Sequence, residues 1–230
     1  MFGKDIIMNS MLYWLLILFI PIIASANVKL TYSKYSEVRN SRGLTADEVA
    51  RRILDSHGLY NVRIEHIRGN LSDHFDPTAN VVRLSDSVYG QTSVAAIGVA
   101  AHECGHAVQH AEGYSPVIIR SKMVPVTNFC SQVSYILILI GIFMSFNQVL
   151  INIGIILFLA VVAFQFITLP VEFNASSRAL KTLENDAILD INEVPKAKKV
   201  LRAAALTYVA ALITSVLQLL RLIAMSRRRD

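Results

Sequence analysis

From Cys130 to Pro170 the chain carries not one charged side chain. At about 20 residues per crossing, an apolar run of that length holds two membrane spans. The polar break Ser145-Phe146-Asn147-Gln148 near its middle makes the tip of a hairpin. Arg120 and Lys122 precede the run and Arg178 and Lys181 follow it, which places both open ends of the hairpin (130–170) on the basic, cytoplasmic side. With a mean hydropathy of +0.47 and only 17% charged residues, the whole composition is that of a membrane protein.

Two further stretches extend this reading. Ile6 to Asn27 is free of charge and long enough to span, so residues 6–26 are expected to form an N-terminal anchor. Ala24-Ser25-Ala26 has the form of a signal-peptidase site, but Lys4 and Asp5 cancel where a signal peptide needs net positive charge, which favours an uncleaved anchor. Ala203 to Leu220 has span length yet includes Thr207, Tyr208, Thr214, Ser215 and Gln218. Residues 203–230 therefore form either a span or an interfacial helix ending in the basic Arg227-Arg228-Arg229 tail. The formal charge of +5 is assigned to cytoplasmic loops and not to nucleic-acid binding. Cys104 and Cys130 have no spacing that would suggest a disulfide framework.

Between Asn27 and Cys130 lie 11 Lys/Arg and 10 Asp/Glu, an ordinary soluble mixture, so residues 27–129 are expected to fold as a domain outside the bilayer. Leu44 to His57 reads as an amphipathic helix with Thr45 as N-cap and Glu48 completing a capping box. Alternation at Val62, Ile64 and Ile67, and again over Asn80–Leu84, predicts short strands, and Asp76-Pro77 marks a turn. The fold expected is a mainly α-helical integral membrane protein with a small β-sheet and three or four membrane helices.

A helix opening at Thr92 or Ser93 runs without proline to Gly113 and carries AAHECGHAVQH in its second half. His102 and His106 are one turn apart on one face, where both imidazoles can reach a single zinc ion. Glu103 sits at the edge of that face and can accept a proton from a zinc-bound water without being a ligand, the arrangement of the HExxH zinc hydrolases. Two buried structural histidines are the alternative, but that leaves a carboxylate in a run of Ala, Val and Gly. Cys104, about 200° round the helix from His102, faces away from the ion into the core.

Zinc needs a third protein ligand. His110 lies about 12 Å along an unbroken helix from His102, too far to share the ion. Glu172, in LPVEFNASSRAL, re-emerges where the folded domain sits, and Pro170 suits the start of a new cytoplasmic helix (171–202) with Glu172 in its first turn. A glutamate favoured by the helix dipole is the plainer reading of that position. His74 and Arg83 are candidates for an oxyanion donor.

HECGH, the hairpin, and E-x-x-A-S at Glu172–Ser176 resemble the glutamate-zincin layout of HtpX-like and CAAX-processing membrane proteases. SDHFDP, VVRLSDSVYG, SVAAIGVAAHECGHAVQ, LPVEFNAS and AALTYVAALITSVLQLLRL together resemble the YugP-type neutral zinc metallopeptidases of bacterial membranes, over nearly the whole chain. The resemblance implies a zincin-like (gluzincin) domain, one Zn2+ ion, and Glu172 as third ligand. It also implies that Asn80, Val81, Val82, Arg83 and Leu84 form the edge strand to which a substrate backbone adds. Where HtpX-like proteases usually show Asp this chain has Ser176, so the carboxylate that would orient a zinc-bound histidine comes from elsewhere or is absent.

The expected function is a membrane-anchored zinc endopeptidase of the cell membrane, active on its cytoplasmic side against membrane or membrane-near proteins. A zinc-binding scaffold without activity is the first alternative, although it has no use for Glu103. A site-two-like intramembrane protease is the second. Only nine apolar or small residues, Ser93–Ala101, precede His102, too few to bury the motif in a span.

Overall fold

The computed structural model describes residues 11–227; residues 6–10 of the first apolar stretch, with Lys4 and Asp5, and Arg228 and Arg229 of the basic tail lie outside the described residues. Along the chain run α1 (Met11–Ser36), α2 (Ala46–Ser56), β1 (Arg63–Ile67), β2 (His74–Asp76), β3 (Val81–Ser85), α3 (Val94–Ala111), α4 (Ser115–Phe143), α5 (Gln148–Asn185) and α6 (Val194–Arg227). Helices dominate, and among the described residues α1, α4, α5 and α6 are the four that are long and apolar enough to cross a membrane.

The chain divides into two compact units, and the four long helices contribute to both. One unit comprises Ala26–Ile118 and Pro170–Leu206. Thr45 caps α2 with a complete capping box, its hydroxyl accepting from Glu48 N–H while the Glu48 carboxylate accepts from Thr45 N–H. Ser93 caps α3 by accepting from Ala96 N–H at 3.1 Å. Small residues line the buried side of α3, where Ala96, Ala100, Cys104 and Ala107 join Val49, Ile53 and Leu54 of α2 in one core. Val82 and Leu84 of β3 complete that core, with Ile64 and Phe75 packed against it.

The sheet order is β1-β3-β2, with β1 parallel and β2 antiparallel to β3. The expectation of β3 as an edge strand is therefore corrected. His74-Phe75-Asp76 pairs along one side of it, Phe75 opposite Val82, and β1 occupies the other. The turn between β2 and β3 forms because the Asp76 carboxylate accepts from Thr78 and Ala79 N–H and Asn80 adopts φ 52°, a conformation asparagine tolerates.

Pro170 does not begin a helix but lies inside α5, which runs unbroken from the apolar stretch to Asn185. Proline forfeits one N–H bond. The helix continues because Val171, Ala175, Ala179 and Leu183, spaced one turn apart, are all buried. In the same way Ala203–Leu220 belongs to one helix beginning at Val194, whose Ala197, Val200 and Leu201 join the core of this unit.

The other unit comprises the described residues up to Ser25, Ile119–Leu169, and those from Thr207. Here α4 and α5 approach closely across glycines: a Cβ on Gly154 would meet Ile138 Cγ1 at 2.6 Å, and one on Gly141 would meet Ile151 Cγ1 at 2.8 Å. Small residues that let backbones approach are the usual basis of helix packing in lipid. The tip falls where expected, between Phe143 and Gln148. Arg221 lies over the Trp14 ring, 3.6 Å from its centroid, and Tyr13 donates to the Leu217 carbonyl.

Candidate metal centre

Helix α3 presents His102 and His106 one turn apart, with ring centroids 4.7 Å from each other. From α5, Glu172 enters between them, 1% exposed. Its Oε2 lies 3.3 Å from His102 Nε2 and 3.5 Å from His106 Nε2, and the three donor atoms all lie within 4.8 Å of one another. Donors bound at 2.0–2.1 Å to a tetrahedral ion stand about 3.3–3.4 Å apart, close to the two carboxylate–imidazole separations here. The set of two imidazoles and one carboxylate is also a known catalytic zinc combination.

The approach of the two helices depends on Gly105, the fourth residue of HECGH. A Cβ there would sit 2.7 Å from the Ala175 carbonyl oxygen. Gly105 lies between His102 and His106, and Ala175 between Glu172 and Ser176, so the close contact falls at the level of the donors.

Each imidazole is held at its second nitrogen. His102 Nδ1 is 3.1 Å from Ser176 Oγ, and His106 Nδ1 is 3.0 Å from Gln109 Oε1. Ser176 thus stands where an orienting group is needed, as a hydroxyl in place of a carboxylate. Glu103 is 8% exposed, and its Oε2 accepts a hydrogen bond from Phe75 N–H at 3.1 Å. That bond comes from the backbone of β2, on the side turned away from β3.

Other candidates fall elsewhere. Cys104 is fully buried, donates to the Ala50 carbonyl at 3.5 Å, and burial pushes its thiol above the ordinary range. It is a core residue. His110 lies beside the Phe75 ring, 5.9 Å between centroids, and outside the three-residue cluster. His74 and Arg83, the candidate oxyanion donors, are not brought to the centre. They alternate with the core-facing Phe75, Val82 and Leu84 on the opposite face of the sheet. There Arg83 pairs with Asp76 at 2.8 Å and Glu65 at 3.3 Å and lies 3.3 Å from His74 Nε2. Asn80–Arg83 likewise cannot offer a free strand edge, since β2 intervenes.

Gln109, Gly105 and Phe75 are the contributors that motif reasoning passed over. Gln109 carried a signal, being three residues beyond His106 on a helix and polar in a run that is otherwise buried.

A family described as "Putative neutral zinc metallopeptidase" matches residues 10–227. The chain belongs to that family. It is 53% identical over 201 residues to "Putative membrane protease YugP" of Bacillus subtilis (strain 168), covering 87% of this chain and 88% of that protein. No solved structure matches. Family membership names zinc as the ion, in agreement with the donor set and spacing of the His102, His106 and Glu172 cluster.

Proposed function

We propose that the protein is a membrane-anchored zinc endopeptidase of the gluzincin type, with His102, His106 and Glu172 as ligands and Glu103 as general base. The observation that carries the reading is the buried Glu172 carboxylate set between two imidazoles at tetrahedral spacing. When bound, zinc supplies Lewis acidity to a peptide carbonyl and to water. The Glu103 carboxylate takes the proton of the attacking water and delivers it to the leaving amine. The Phe75 N–H holds that carboxylate in place by a bond to one oxygen, leaving the other to handle the proton.

Substrate is taken as an extended segment along β2, the edge of the sheet that faces Glu103, in place of β3. The Phe75 carbonyl, like its N–H, turns away from β3, as alternation along a strand requires; the N–H is taken by Glu103, so the carbonyl is the group left to pair with substrate.

The substrates are membrane or membrane-near proteins. The C-terminal part of α1, the start of α4, the end of α5 and the start of α6 all belong to the unit that holds the site. If the four helices span, those ends lie on one side of the membrane, and the nearby Arg178, Lys181, Lys196, Lys198, Lys199 and Arg202 make it the cytoplasmic side. The test is to purify the protein in mild detergent, measure its zinc, and compare wild type with Glu103→Gln on membrane-protein substrates. Zinc in both and cleavage about 10²–10⁴-fold lower in the variant is the expected result. Equal cleavage by Glu103→Gln removes the mechanism.

A further inference from the structure

We propose that Gln109 is a positioning residue: its side-chain amide sets His106 in the tautomer that a metal requires and ties that choice to the backbone beside Glu172. The inference rests on the zinc-site reading above. It follows from a chain of contacts that begins at the surface. Arg178 can only donate; its Nη1 lies 2.6 Å from Glu112 Oε2 and its Nε donates to Asn174 Oδ1 at 2.7 Å. Asn174 Oδ1 is thereby an acceptor. Gln109 Nε2 reaches the same Oδ1 at 2.9 Å and the Val171 carbonyl at 2.9 Å.

Both of those neighbours accept, so the Gln109 atom facing them is its NH2 group, and the atom facing His106 is its carbonyl oxygen. A carbonyl oxygen cannot donate, so the proton of the 3.0 Å contact sits on His106 Nδ1. Nε2, on the Glu172 side of the ring, is then the nitrogen left to give its lone pair to a bound metal. Reversing the amide would turn its oxygen onto two acceptors, in a residue that is 0% exposed to solvent.

The same amide acts on a second ligand. Val171 is the residue before Glu172, so Gln109 grips the α5 backbone next to the third donor while presetting the second. His102 is held differently. The Ser176 hydroxyl at its Nδ1 donates or accepts as required, so this partner leaves the His102 tautomer undecided. Of the two imidazoles, His106 is thus the one whose Nδ1 proton is fixed by its neighbour.

Two variants of the full-length, detergent-purified chain separate positioning from packing, read by zinc affinity in chelator competition and by melting temperature in excess EDTA. Gln109→Leu removes the acceptor for Nδ1–H and should bind zinc about 10–100-fold more weakly. Gln109→Glu keeps an acceptor at Nδ1–H and loses the two donor contacts to Val171 and Asn174. Its metal-free form should melt lower, while its zinc affinity stays within about threefold of wild type or tightens. A merely structural Gln109 predicts that affinity follows melting temperature, so that the two variants lose zinc alike.

Wild-type affinity in a folded Gln109→Leu, or equal losses in both variants, would overturn the proposal. Should Gln109→Leu fail to fold, 15N-histidine NMR of zinc-loaded wild type decides: the proton belongs on His106 Nδ1, and coordination through Nδ1 refutes the tautomer. If wild type takes up no zinc at all, it is the site reading that fails and not the role of Gln109.

Discussion

Replacing Gly105 with alanine tests whether the metal centre depends on the closeness of α3 and α5. The added Cβ would lie 2.7 Å from the Ala175 carbonyl oxygen and 3.3 Å from its carbonyl carbon and Cα, all backbone atoms that no rotamer change can move aside. Ordinary contact begins at 3.4 Å, so the helices must part by about 0.7 Å at that level. The overpacking costs about 1–3 kcal/mol, and alanine's better helix propensity returns about 1 kcal/mol, leaving a net loss of about 0–2 kcal/mol. The protein should therefore still fold. The donors fare worse. Zinc ligand distances tolerate about 0.2 Å, while the opening separates Glu172 from His102 and His106 by several times that.

Zinc affinity should fall about tenfold or more, a far larger effect than the change in melting temperature of the metal-free protein. Gly98→Ala is the control. Its Cβ would meet Ala197 Cβ at 3.4 Å, an ordinary contact, so it should leave zinc affinity unchanged and stabilise by up to about 1 kcal/mol. Chelator competition and thermal unfolding in EDTA, run on both variants, supply the numbers. Wild-type zinc affinity in Gly105→Ala would refute the reasoning from helix approach to ligand geometry.

Further outcomes follow from the same geometry. Glu172→Ala should lose zinc and cleavage together, because two imidazoles on one helix make an incomplete site, whereas His110→Ala should keep both; metal analysis that finds the reverse would require a different ligand set. Phe75→Pro deletes the N–H that bonds Glu103 and spares the β2–β3 ladder, since that N–H faces away from β3. It should retain zinc and lower cleavage at least about tenfold, the worth of one hydrogen bond to a charged group at about 1.5 kcal/mol. A folded Phe75→Pro with full activity would dissociate β2 from the catalytic base.

What was legible in the sequence was local. The Thr45–Glu48 capping box, a cap at Thr92 or Ser93 and the turn at Ser145–Gln148 are each written in a few adjacent residues, and each appears in the structure, the cap at Ser93. The pairing of His102 with His106 follows from helical periodicity alone. What was not legible depended on partners far along the chain. β2 is three residues long beside a proline turn, too short for alternation to register, so nothing in the sequence stood against the edge strand that the family resemblance implied at Asn80–Leu84. Pro170 read as a helix start because a proline's cost is visible in sequence, while the burial of Val171, Ala175, Ala179 and Leu183 that outweighs it is not. The contacts of Gln109 to Val171 and Asn174 cross 62 and 65 residues of chain. Gly105 is unremarked in HECGH until Ala175 is set against it.

The central claim, one zinc held by His102, His106 and Glu172, is tested most directly by zinc K-edge X-ray absorption on the purified, zinc-loaded protein. The account predicts a first shell made only of nitrogen and oxygen at about 2.0–2.1 Å, with imidazole scattering from two histidines. A sulfur shell near about 2.3 Å, which would draw Cys104 or Cys130 into the site, or imidazole scattering from three histidines, which would admit His110, contradicts it.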